Sequence, residues 1–219
     1  MKKAFLLLAL LLSLSPKAGA AEKYAAVTFD GAPSGAAAEQ LLEALEQRGA
    51  KVTFFLWGSR LAQQPDLAGQ ILAGRHEIGI QGFSREDMRQ MSRRTIAREL
   101  MDTQALLPQR CHVRFFRPPD GLLSDGVVQV AKARGLAIAL WSVDPRDRGG
   151  QGIRHTSDGD VVVMHDLSES SIRSAIRMID RLRAQGFRFV TLSELARLHK
   201  VRIRSGQIYR CFPPPEKIK

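Results

Sequence analysis

The sequence predicts an α/β fold, a distorted and incomplete barrel of seven β/α units. Three observations carry that prediction. Short runs rich in β-branched and aromatic residues alternate with helical stretches seven times along the chain. The sixth run, 160–164, is nearly all apolar, as expected of a strand buried on both faces. Asp30, Arg117, Asp147 and His165 each fall at or just beyond the carboxyl end of a different run. A barrel gathers those ends on one face, where such folds place their chemistry; an open sheet would spread them along a line.

In order, 24–29 reads as the first strand, followed by a helix from about Ala36 that Gly49 can end. The second strand is 51–56, rich in Val, Thr and Phe, and the helix near 65–73 stops at Gly74. The third strand is 77–80, with His76 a structural residue at its start. Ser92 offers an N-cap for a helix running to about Leu106. The fourth strand is 113–116, and Ser124 caps a helix closed by Gly135. The fifth, 136–141, leads into a polar, Gly-rich loop over 142–159. After the sixth strand, 168–185 is a basic amphipathic helix closed by Gly186. The seventh strand is 187–191, and Ser193 caps a last short helix. From Lys200 the chain turns basic and then Pro-rich, an extended tail with a turn at Ser205-Gly206.

The N-terminus carries a different signal. Lys2 and Lys3 precede an apolar run, 4–14, too short to span a bilayer, and Ala18-Gly19-Ala20 supplies small residues for cleavage before Ala21. These features predict a secretory signal peptide over 1–20 and a secreted or periplasmic protein; an uncut N-terminal anchor is the alternative. The expected organisation is this leader, one domain over 21–199 and a tail over 200–219, with no stable transmembrane anchor.

The formal net charge is +11, and the chain stays basic when the leader's three lysines are removed. Anionic cell-wall polymers and lipid head groups suit that charge. Nucleic acid does not, because no binding motif for it is present and the compartment is wrong. In an oxidising compartment Cys111 and Cys211 predict a disulfide, with two unpaired thiols as the alternative. Such a bridge would stabilise the fold by roughly 4–5 kcal/mol through loop entropy.

Four segments carry the chemistry. They are Thr28-Phe29-Asp30, Phe116-Arg117-Pro118-Pro119-Asp120-Gly121, Trp141-Ser142-Val143-Asp144-Pro145-Arg146-Asp147 and Val162-Val163-Met164-His165-Asp166. With His76-Glu77-Ile78-Gly79 between the first two, they resemble, in order and spacing, the motifs of the NodB-type polysaccharide deacetylases, the carbohydrate esterase family 4-like group. The resemblance spans nearly all of 21–199 and implies the same incomplete (β/α)7 barrel. It implies metal-assisted hydrolysis of N-acetyl or O-acetyl groups on a glycan, with a divalent ion such as zinc activating the attacking water.

By resemblance, Asp30 matches the catalytic base and Arg117 the arginine that keeps it ionised. His165 matches the general acid, and Asp147 the acid that tunes it, with Asp144 close enough to take that place. Pro119, Gly121 and Trp141 belong to the substrate groove, and Val163 stands where a leucine lines the acetyl pocket.

The chain departs from the pattern at the metal. The ligand positions hold Gly31, Gln81 and Arg85, the residue beside the second is Gly82, and a groove tryptophan is replaced by Arg148. Glycine has no donor atom, neutral Gln is a poor ligand and Arg repels a cation. The sequence therefore predicts no cofactor, and a deacetylase that is weak or inactive, a pseudoenzyme. General acid–base help alone supplies about 10²–10⁴-fold. The partner expected is a cell-wall or other envelope glycan, acidic ones included, held in part by Arg85 and Arg148. Two other readings remain open. One is an active hydrolase with substitute ligands or a metal-free Asp/His mechanism. The other is a structural envelope protein.

Overall fold

The computed structural model describes residues 22–31, 35–147, 151–164 and 168–214. The expected leader, Arg148 and His165 lie outside the described residues. The strands are β1 (Lys23–Asp30), β2 (Thr53–Trp57), β3 (Glu77–Gly82), β4 (Phe115–Phe116), β5 (Ala137–Ala139), β6 (Val161–Met164), β7 (Phe187–Phe189) and β8 (Ile208–Tyr209). The helices are α1 (Ala36–Gln47), α2 (Gly58–Leu61), α3 (Leu67–Ala73), α4 (Arg93–Ala105), α5 (Asp125–Ala133), α6 (Glu169–Ala184) and α7 (Leu192–Leu198).

Every ladder between named strands is parallel, in the order β6-β1-β2-β3-β4-β5-β8, with β7 against the start of β1. Beyond β5, Val143 bridges Val162 of β6, so the curled sheet comes almost full circle at its C-terminal end. This is the incomplete barrel that the alternating pattern predicts.

Side chains alternate across each strand. Val27, Phe29, Phe54, Leu56 and Ile78 point outward and bury against Leu41 and Leu45 of α1, Ile71 of α3 and Ile172 and Ile179 of α6. On the other flank Ile80, Phe116 and Ile138 pack on Ile96 and Leu100 of α4 and Val127 and Ala131 of α5. The inward set is Ala26, Phe55, Phe115, Ala137, Ala139 and Val161, closed from below by Leu192 and Leu195 of α7 and by Phe212. Ser92, Ser124 and Ser168 cap α4, α5 and α6 as their side-chain oxygens predict.

Three expectations change. The cap of α7 is Thr191, whose hydroxyl accepts from Glu194 N; Ser193 is drawn instead to the Glu77 carboxylate. The tail is not extended outside the domain: it adds β8 to β5, and Phe212 stacks on Tyr209 and meets Phe115 edge-on. The disulfide is also corrected. Cys111 packs against the outer cluster, Cys211 is held by an antiparallel bridge to Asp160, and both thiols are free.

Candidate functional site at the barrel mouth

The C-terminal ends of β1 to β6 converge on one mouth, and Arg117 is its central fixture. It follows β4, its N–H bonds Ile80 O, and its side chain is fully buried. Nη1 donates to Asp30 Oδ1 at 2.7 Å and Thr28 Oγ1 at 2.8 Å. Nε donates to Ala139 O at 2.8 Å and Nη2 to Leu140 O at 2.9 Å. Thr28 Oγ1 in turn donates to Val162 O at 3.0 Å, so one guanidinium ties together β1, β4, β5 and β6.

The guanidinium lies 4.0 Å above the Phe55 ring centroid. Phe55 has room because residue 79 is glycine: a Cβ there would stand 2.5 Å from the ring. Burial pushes the Arg117 pKa down and Asp30 opposes that push, so the pair is mutually dependent. Asp30, at 8% exposure, is the carboxylate that this charge holds at the mouth.

Pro119 is buried in a short 3-10 turn, and Gly121 closes it with φ of 70°. A Cβ on Gly121 would stand 2.8 Å from Trp141, so the glycine lets the indole lie against the turn. Val163 is buried and registers with Thr28 on the far wall. Of the two candidate acids, Asp144 is buried and gripped by Arg146, with Nη2 to Oδ2 at 2.8 Å, whereas Asp147 is exposed. The structure thus brings Asp30, Arg117, Pro119, Gly121, Trp141 and Val163 together, with Asp144 rather than Asp147 as the buried acid.

The ligand positions of the resemblance also meet here. Gly31, at φ of 92°, donates its N–H to Phe55 O and to Gln81 Oε1 at 3.1 Å. Gln81 is 1% exposed. Arg85 lies 5.0 Å from the Trp57 ring centroid and 3.9 Å from Asp120 Oδ1. The loop that bears it is clamped by Glu99 of α4, whose Oε2 accepts from Phe83 N, Ser84 N and Ser84 Oγ. These residues do not fit a divalent ion: the one amide oxygen is engaged by Gly31 and the nearest long side chain is cationic. Among the described residues no group of three His, Cys, Asp or Glu could hold a metal. His76 is at the opposite end of β3, where its Nδ1 accepts from Val52 N.

Phe55, Trp57 and Glu99 lie outside the sequence motifs, and Thr28, Gly79 and Asp120 lie inside them without a role assigned from the sequence. The motif positions of Thr28, Gly79 and Asp120 are the signal that could have found them; what Gly79 does for Phe55 shows only when β2 and β3 are paired.

A curled parallel sheet with an Asp–Arg pair at its mouth defines the class, and the comparisons agree. A polysaccharide deacetylase family model matches residues 17–139, and the chain belongs to that family. It is 32% identical to a peptidoglycan-N-acetylglucosamine deacetylase of Bacillus cereus, covering 80% of this chain and 89% of that one. It is 31% identical to the peptidoglycan-N-acetylglucosamine deacetylase PgdA of Listeria monocytogenes, over 79% of this chain but only 39% of the relative's length. Among solved structures it resembles a mutant of a CE4 family pseudoenzyme with restored enzymatic activity, at 27% identity and TM-score 0.72, covering 80% of this chain and 67% of that one. It also resembles a family 4 acetyl xylan esterase from Clostridium thermocellum in complex with a cobalt ion, at 25% identity and TM-score 0.78, over 87% of this chain and 100% of that one.

The cobalt complex overturns the expectation of no cofactor: a metal ion does bind within this family. What this chain shows is narrower, a mismatch at Gly31, Gln81 and Arg85.

Proposed function

We propose that this protein is an exported member of the family that binds cell-envelope glycans at its barrel mouth and deacetylates them weakly or not at all. The observation that carries this reading is the contrast within one mouth. The Asp30–Arg117 pair is fully built, while the adjoining Gly31–Gln81–Arg85 face offers an engaged amide and a cation where hydrolysis would need electrophilic help. The peptidoglycan named in the relatives' activities supports the ligand class, and the leader features of residues 1–20 support export. In this reading Asp30 and Arg117 order the mouth, Asp144 flanks it, and Trp141 and Pro119 line the groove.

The test measures acetate release from N-acetylated chitooligosaccharides and from peptidoglycan, with zinc or cobalt in excess, beside retention of the protein on insoluble peptidoglycan. Retention with acetate release no greater than that of Asp30→Asn is the expected result. Rapid release that Asp30→Asn abolishes would sink the reading. Export is checked separately, by the N-terminal residue of the protein recovered outside the cytoplasm; Ala21 is expected.

A further inference from the structure

We infer that the β2–β3 quadrant of the mouth is an anion subsite that takes a carboxylate of an acidic glycan; this deepens the glycan-binding reading above and rests on it. The quadrant presents hydrogen-bond donors. Gln81 is 1% exposed, and with its Oε1 turned to Gly31 N, its Nε2 has no partner among the described residues. Trp57, one register step away opposite Gly82, has a buried Nε1 that likewise lacks a partner among the described residues. The Arg85 guanidinium stacks on that same indole.

A buried donor left unmet costs free energy, and among the described residues the Trp57 indole N–H is that donor; beside it stand the Gln81 amide and the Arg85 cation, a set that favours an anion. Among the described residues the carboxylate within ion-pair reach of Arg85 is that of Asp120, at 3.9 Å, with both side chains about two-thirds exposed: 67% and 65%. That is a loose surface pair, which contributes little and which a ligand can replace. The quadrant is also held in place rather than floppy. Glu99 clamps the loop at Phe83 and Ser84, Phe83 O accepts from Ser59 N, and Met88 fills the space where a side chain at residue 82 would go. A planar carboxylate matches a guanidinium fork, with the Gln81 amide as a second donor. A neutral sugar would leave the cation's preference unused.

The experiment titrates the purified protein with three probes, following the Trp57 indole N–H by NMR. They are an N-acetylglucosamine–N-acetylmuramic acid disaccharide, the same disaccharide with its carboxyl reduced to an alcohol, and lactate alone. The acidic disaccharide should bind at least about tenfold more tightly than the reduced one. Arg85→Gln, a change on an exposed side chain, should erase that difference, and Gln81→Leu should weaken the acidic form further than the reduced form. Equal affinity for the two disaccharides, or a preference that survives in Arg85→Gln, overturns the subsite while leaving glycan binding intact. If neither disaccharide binds but lactate shifts the indole in wild type and not in Arg85→Gln, the subsite stands and the glycan reading falls. If no probe shifts the indole, both fall.

Discussion

Arg117 shows how a single buried charge can be both scaffold and instrument. Its side chain bonds the carbonyls of Ala139 in β5 and of Leu140 just after it, the Thr28 hydroxyl of β1 and the Asp30 carboxylate, and the last of these supplies the balancing charge. Removing one member of such a pair leaves the other uncompensated away from water, which costs about 3–5 kcal/mol. Asp30→Asn should therefore lower unfolding free energy by that order, read by urea denaturation. Adding Arg117→Met to it should cost less than the sum of the two single changes, because the stranded charge is then gone. At this scale the sequence is a good guide to which residues matter and a poor one to how they are held. Asp30 and Arg117 stand in recognisable motifs. The ring beneath Arg117 depends on Gly79 meeting Phe55 across two strands, a pairing no local pattern displays.

The entry to the third strand holds two adjacent groups with opposite pH behaviour, His76 just before β3 and Glu77 as its first residue. Burial, reinforced by the nearby Lys51 charge, lowers the His76 pKa from 6.5 to about 4. Between those values the unfolded chain holds a proton that the folded chain does not, so this residue makes stability rise with pH. Glu77 is shifted the other way: burial raises its pKa above 4.5, although Ser193 and Thr53 hydrogen bonds pull it down. Its contribution is complete below that ordinary value and is lost as pH rises through the raised one. Glu77→Gln should therefore steepen the rise of melting temperature between pH 4.5 and 6.5, and His76→Gln should flatten or reverse it, in thermal scans at several pH values.

Element by element, the long apolar strands and the serine-capped helices are legible because their signals are local. The cap of α7 is not. Thr191 and Ser193 are both competent caps, and only the Glu77 carboxylate, far away in sequence, takes Ser193 out of contention. β8 is equally hidden: two residues in a basic stretch become a strand because β5 has a free edge to offer. His165 and Arg148, by contrast, rest on sequence alone, since both lie outside the described residues.

Across the whole molecule, chemistry and closure occupy opposite ends. The mouth gathers the C-terminal strand ends, while the base is filled by Leu192, Leu195 and Phe212, with His199 bonding Phe212 O through Nδ1. Gly159 permits that seal, since a Cβ there would lie 2.1 Å from Phe212 O. A protein ending at His199 would lose β8 and Phe212 together. It should bind a hydrophobic dye, keep its far-ultraviolet circular dichroism and lose a cooperative thermal transition, as expected when packing is lost before secondary structure.

The same seal sets an order of events. A chain that emerges N-terminus first can pair β1 with β2 and β3 early, but the floor that Leu192 and Leu195 begin is complete only when Phe212 arrives. Until then part of its lining is open to water from below. Closure is thus deferred to residues 208–212, and a stretch that reads as a tail acts as the latch.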